Sequence, residues 1–435
     1  MTISQAISPS ALADVGSAGE LAELDRRHLI HQMHRADVVD RAVIVRGEGC
    51  LVWDADGNEL LDAAGGGVWH SPLGHGRRDL AEVAARQMRR LEYFTGLLEF
   101  SNDQAIRLAA RLAELAPEDL NKVFFANGGS EAVESAIKAS RLYHHRRGQP
   151  DRTWILARHY ALHGSTYGSG TLTGFPAMHN GVGPARVGAD RIAAMIGEPV
   201  MAGGGVLTPP ADYWPRIREV LRRHGILLIA DEVVTAFGRT GAWFDSPGRG
   251  MSPDLIAVAK GIAGGYVPLG ALLLRDEIGD TIASGEGFFH GYTFQGHPVA
   301  CAVALACLDI IEREDLLAKA GVIAGWLRSG LAPAKQLPAV GDVRVEGTLA
   351  ALEIVADRDT RQPMGWTEVA IVAGEVRRRH GVIVRPYGHN LVLTPPLVMD
   401  ERQTRRATEA VVEVLSRLGT DGTLAPADHT SRSPR

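Results

Sequence analysis

From about residue 75 to about residue 310 the chain alternates helix-period stretches with short apolar runs, and this alternation limits the possible folds more than any other feature. The runs are "KVFFAN", "TWILARHY", "IAAMIGEPV", "GILLIADEVV", "LIAVAKG" and "YVPLGALLL". Aliphatic runs of this length, lacking a polar face and separated by helical patterns, predict strands covered on both sides in a mainly parallel, doubly wound α/β sheet. Ligands of such sheets bind outside the carboxyl ends of the strands. "GILLIADEVV" ends abruptly in Asp231 and Glu232. Asp231 is therefore either a cap or loop anchor or a group directed at a ligand, and position alone weighs the two about evenly.

The flanks read differently. "AVIVRGEGCLVWDADGNELLDAA" alternates apolar and polar residues around an Asp-Gly-Asn turn and predicts a hairpin. After a helix at about 297–314 come "DVRVEGTLAALEIV" and "VIVRPYGHNLVLTPPLVM", then a helical stretch with Asp400 as N-cap and Gly419 as its stop. A chain of 435 residues exceeds one average domain. The expected division is a flexible N-terminal arm (1–30), an N-terminal segment contributing to the small domain (31–74), a large domain (75–320), a C-terminal small α+β domain (321–420) and a disordered tail (421–435).

A net charge of -5 with acids and bases interspersed leaves no extended basic face, which argues against nucleic acid or an anionic membrane as partner. No stretch approaches the ~18 consecutive apolar residues of a membrane span, and the N-terminus lacks a secretion-signal pattern. Cys50, Cys301 and Cys307 form no metal or redox pattern, so no metal site is expected and a reducing cytoplasm fits. Small-molecule chemistry is the better expectation. Many of the 50 glycines cluster, as at 65–67 and 203–205, which suggests backbone drawn close to a ligand.

Two motifs carry chemistry. "FFANGGSEAVESAIK" is a strand, a glycine turn and a helix beginning near Ser130, whose free N–H groups would suit a phosphate. Alone, such a turn is more often only a cap. "PDLIAVAKGIAGGYVPLGA" ends a strand in Lys260. Desolvation there would lower its pKa and make a usable amine nucleophile, although a lysine packing its stem on the strand is the commoner case. Together, a phosphate cradle, an acid at one strand end and a lysine at the next suggest a cofactor with a phosphate, a basic ring nitrogen and an aldehyde. Pyridoxal 5'-phosphate has all three.

At these motifs the chain resembles a class III (omega-amino) aminotransferase of fold type I, a large domain built on a parallel doubly wound sheet plus a smaller α+β domain. The similarity runs from about 40 to about 418 through "FFANGGSEAVESAIKASRLY", "IGEPVMAGGGVLTPPADYW", "GILLIADEVVTAFGRTGAWF", "SPDLIAVAKGIAGGYVPLGA", "HGYTFQGHPVACAVALACL" and "RPYGHNLVLTPPLV". The resemblance implies an enzyme moving an amino group from an amine or omega-amino acid to a 2-oxo acid in a ping-pong cycle, with Lys260 as the Schiff-base lysine and proton shuttle. It further implies Asp231 on the pyridinium nitrogen, Val233 on one ring face, Gly129 and Ser130 on the phosphate, and Thr293 reaching that phosphate from the other subunit of a homodimer. His163 stands in the family's aromatic-His-Gly triplet, here Leu162-His163-Gly164, so that either Leu162 or a shifted Tyr160 covers the ring. The second Glu that the 4-aminobutyrate and ornithine branches carry is replaced by Ala202-Gly203, which is similar to the branch using β-alanine or simple amines with pyruvate. Arg385 matches that branch's movable, carboxylate-pairing arginine, and Trp69 its pocket lining. The segment from Gly174 to Arg191 is shorter than is common in the family. A racemase or aminomutase on the same scaffold, and an inactive cofactor-binding partner subunit, are the competing readings.

Overall fold

The computed structural model describes residues 17–29, 41–94, 100–174, 191–285, 288 and 290–426. The start of the expected arm, most of the short 174–191 segment and the end of the expected tail lie outside them.

Six strands form the central sheet, in the order Lys122–Ala126, Gly270–Leu274, Leu255–Val258, Leu227–Asp231, Ile192–Gly197, Trp154–Leu156. All pairings on the Trp154 side of Leu255–Val258 are parallel. Gly270–Leu274 runs antiparallel to both of its neighbours. The reason is the connection: the link from Val258 to Gly270 holds only one short 3-10 turn, too little chain for a crossover helix. That turn begins with Lys260.

Side chains alternate between two cores, as the two-residue period of a strand requires. Leu228, Ile256, Leu273 and Ala271 face a cluster with Trp214, Leu108, Leu112 and the apolar side of helix Pro298–Arg313. Ile229, Ala257 and Leu272 face the other way, against Val133, Ile137 and Tyr143 of helix Gly129–Arg146. Cys301 and Cys307 are buried in the first cluster as small apolar side chains.

The C-terminal sheet is antiparallel, Val340–Glu346, Leu349–Asp357, Asn390–Leu393, Arg385–Tyr387, backed by helices Leu316–Leu331, Trp366–His380 and Glu401–Ser416. The expected N-terminal hairpin forms, Leu51–Asp54 against Glu59–Asp62, joined by Ile44–Glu48. It pairs with Val382–Ile383, and Cys50, Leu61 and Ala63 share the core of the C-terminal helices. Two local details add to this outline, the second of them a correction. Within the Ala/Ser-rich arm, Ala18–His28 is a helix whose N-terminus is closed by a Ser17/Glu20 capping box, and none of its residues is buried. The last helix is capped by Asp400 as expected, but it stops at Ser416 rather than at Gly419, because Leu418 leaves the helix to bridge Leu424.

Candidate active site

Parallel strands deliver their ends to one edge, and three of those ends carry ionisable groups: Glu198 after Ile192–Gly197, Asp231 closing Leu227–Asp231, and Lys260 two residues beyond Val258. Asp231 and Lys260 border a cavity of about 510 Å³ whose wall also includes Trp69, Leu162, Arg385 and Tyr387. Gly129, Ser130, His163 and Val233 line the same space. Eight of the nine site residues singled out from sequence thus converge. Thr293, the ninth, is exposed and away from this cavity, its carbonyl accepting the Tyr93 hydroxyl at 2.5 Å.

Asp231 is almost wholly buried, with one carboxylate oxygen 2.7 Å from His163 Nδ1 and the other accepting the Val233 N–H at 3.1 Å. His163 Nε2 has no partner among the described residues. Glu198 is buried beside them, accepting the N–H groups of Leu162 (3.2 Å) and Ala202 (3.1 Å). Burial, and then the charge of Asp231, push its pKa up to about 7. Lys260 adopts a left-handed backbone conformation (φ 45°), a strain of the kind that concentrates at functional sites. Burial lowers its pKa below the usual lysine value, against the opposing pull of Asp231 and Glu198.

The turn before helix Gly129–Arg146 is built for close approach. A Cβ on Gly129 would lie 2.9 Å from Val233 Cγ1, so only glycine fits between that side chain and the helix start. Ser130 Oγ accepts the Ser165 N–H at 3.1 Å, which draws the His163 loop over the helix N-terminus. On the other side, Trp69 is buried with a positive φ of 66°, and its ring lies 5.7 Å from that of Tyr387. The Arg385 guanidinium donates to the Gly67 carbonyl. Of the two candidates to cover a ring, Leu162 is on the cavity wall, whereas Tyr160 is 55% exposed and not on it.

These features fit pyridoxal phosphate: a helix N-terminus for the phosphate, a buried carboxylate for a ring cation, and a desolvated lysine amine for an aldehyde. Sequence reading passed over two residues of the site. Tyr387 lies two positions from Arg385 on one strand, hence on the same face, and that period was the available signal. Glu198 comes directly after a strand end and lies behind Asp231, and in the sequence it stands only within the Glu-Pro-Val motif.

The chain belongs to the class-III aminotransferases: that family matches residues 32–189 and 185–415. It is therefore a pyridoxal-phosphate-dependent enzyme that moves an amino group from a donor to a 2-oxo acid. Over 399 residues it is 37% identical to putrescine–pyruvate aminotransferase of Pseudomonas aeruginosa, covering 83% of this chain and 87% of that one. Among solved structures it is similar to an (S)-enantioselective omega-transaminase from Thermomicrobium roseum, with 39% identity, a TM-score of 0.88, and 92% and 98% of the two chains covered. An amine transaminase from an uncultivated Pseudomonas species, solved in its PLP-bound form, shows 37% identity and a TM-score of 0.85 over 88% and 97%. Among the described residues no helix is long and apolar enough to cross a membrane.

Proposed function

We propose that the enzyme is an amine or omega-amino acid:pyruvate aminotransferase, a cytoplasmic homodimer with shared active sites, in which Lys260 is the Schiff-base lysine. The observation that carries this reading is the meeting of Lys260, the Asp231–His163 pair and Arg385 around one cavity. When bound, pyridoxal phosphate supplies an aldehyde that takes up the amino group and a protonated ring that draws electrons from a breaking C–H bond. Asp231, buried and fixed by His163 and the Val233 N–H, holds the proton on the ring nitrogen. Lys260, whose amine burial makes less basic than usual, would move a proton between the substrate carbon and the cofactor. Gly129 and Ser130 at the helix start would hold the phosphate, with Thr293 of a second subunit, and Val233 would pack on a ring face. Arg385 pairs with a substrate carboxylate when it leaves the Gly67 carbonyl, and Trp69 bounds the substrate side. A division into domains near residue 320 is supported by helix Leu316–Leu331, which packs Leu316 and Ala320 into one core and Ile323 and Leu327 into the other. Pyruvate as acceptor is supported by the likeness to the putrescine–pyruvate enzyme.

The test is a donor panel with pyruvate and with 2-oxoglutarate, following both the new amino acid and the oxo product. Lys260→Ala protein saturated with cofactor is expected to lose turnover by more than about a thousandfold. Turnover equal to the parent's would end the proposal, and isomerised amino acid without any oxo product would favour a racemase or aminomutase.

A further inference from the structure

Two segments from different parts of the chain meet at Leu162. The first is the turn Met201–Leu207, closed by reciprocal backbone bonds of 3.0 Å between its ends. It carries Gly203, where a Cβ would lie 3.3 Å from Leu162 Cβ and 3.5 Å from Tyr387 Cε1. The second is the hairpin Arg385–Tyr387/Asn390–Leu393, in which Tyr387 is registered with Asn390 and Arg385 with Val392. Leu162 and Tyr387 face the cavity. How far the turn stands from the hairpin therefore sets how much room is left beside them.

One side chain grips both segments from behind. Arg344, on Val340–Glu346, donates from Nε to the Gly205 carbonyl and from Nη2 to Asn390 Oδ1, each at 2.7 Å. Its Nη1 meets Asp342 Oδ2 at 3.1 Å and Glu353 Oε2 at 3.2 Å. Glu353 is also paired with Arg361, so its charge stays balanced if Arg344 is lost. Arg344 itself is not on the cavity wall. A guanidinium is a rigid planar fork, so a bond to each segment fixes their separation, whereas a lysine ammonium is a point donor on a flexible stem.

We infer that Arg344 is a positioning residue: by tying the Gly203 turn to the Tyr387 hairpin it sets the width of the wall at Leu162, and so the size of the donor side group the enzyme accepts. The inference rests on the reading that this cavity receives the substrate. A purely stabilising arginine would lower the melting temperature without altering discrimination between donors.

The experiment compares holoenzyme of the parent, Arg344→Met, Arg344→Lys and Asn390→Ala with 2-propylamine and 1-phenylethylamine as donors and pyruvate as acceptor. Asn390→Ala cuts the hairpin arm alone and leaves the ion pairs of Arg344 in place, so it decides the matter should Arg344→Met not fold. In the folded variants the KM ratio of bulky to small donor is expected to shift by about threefold or more, with Arg344→Lys between parent and Arg344→Met. Gly203→Ala, which crowds Leu162, should change that ratio less in the Arg344→Met background than in the parent, a non-additivity that independent sites do not show. An unchanged ratio in folded Arg344→Met or Asn390→Ala, or strictly additive effects, overturns the inference. Failure of the underlying reading looks different: Tyr387→Ala and Arg385→Ala would then leave KM for every donor and acceptor as in the parent.

Discussion

In the role we propose, Arg385 serves two kinds of partner. Burial lowers its pKa, yet an arginine remains charged across the working range, and among the described residues its guanidinium donates to the Gly67 carbonyl. A carbonyl is a weaker partner than a carboxylate, so a substrate carboxylate can displace it, and a neutral substituent can leave the arginine where it is. Arg385→Ala is expected to cost about 2 to 3 kcal/mol in kcat/KM for carboxylate-bearing partners, some 30- to 150-fold, and less than about threefold for neutral amines. Steady-state kinetics with β-alanine and 1-phenylethylamine decide this, and equal losses for both would remove Arg385 from the role. Asp231→Asn makes a second test. The amide cannot hold the ring proton, so the half-reaction with an amine should slow by about a hundredfold or more while the protein still binds cofactor, as absorbance in a stopped-flow instrument would show. A rate within threefold of the parent's would contradict the role assigned to Asp231. At this scale the sequence carried much of the site, because Asp231 and Lys260 each end an apolar run and strand ends are where such sheets bind ligands. It could not show that Leu162 rather than Tyr160 meets the cavity, since that depends on the left-handed turn at Tyr160 (φ 62°), and nothing in "ARHYALHG" specifies it.

At the level of elements, the excursion from the end of the Asp231 strand to Ser246 is pinned by Glu232, whose neighbour in sequence faces the cavity while it faces inward. Its carboxyl accepts the N–H groups of Asp245 (2.7 Å) and Ser246 (2.9 Å) and the Thr235 hydroxyl (2.8 Å), with no exposure to solvent. Burial raises its pKa to about 7 despite these donors. The folded state therefore keeps a proton between about pH 4.5 and 7 that the unfolded chain releases, so this group stabilises the fold at low pH and the contribution is lost as pH rises through 7. Glu232→Gln removes the titration; its NH2 group faces the N–H of Asp245 or Ser246, a loss of stability that is the same at every pH. It should shrink the fall in unfolding free energy between pH 5 and pH 8 by about 1 to 3 kcal/mol relative to the parent, measured by urea unfolding of the loaded enzyme. The same fall in both proteins would mean that Glu232 does not titrate in this window. The adjacent carboxylates were visible in the sequence, but not their division of labour, because a strand end alone does not say which of two successive side chains turns inward. Periodicity revealed the central strands for a related reason: covered on both faces, they stand out as unbroken apolar runs. The antiparallel direction of Gly270–Leu274 was hidden, since an apolar run reads the same either way.

On the scale of the whole molecule, the described chain leaves one expected contact outside its own cavity. Thr293 is exposed, on a segment whose position is supported by the Tyr93 hydroxyl and by the ring contact of Tyr93 with Phe294, itself 56% exposed. If that segment reaches the phosphate of a second copy, as we propose, each site draws Lys260 from one subunit and Thr293 from the other, and a two-fold assembly supplies both sites at once. Complementation can test this without a structure. Thr293→Asp would set a carboxylate against the phosphate and should be inactive at limiting cofactor, as should Lys260→Ala. In a mixed dimer of the two, one site carries both defects and the other neither. Unfolding and refolding an equal mixture should restore about a quarter of the parent's activity, because half the dimers are mixed and half of their sites are intact. A Thr293 acting within its own chain would give the opposite result: every site in every mixed dimer would carry one defect, and the refolded mixture would stay as inactive as its components.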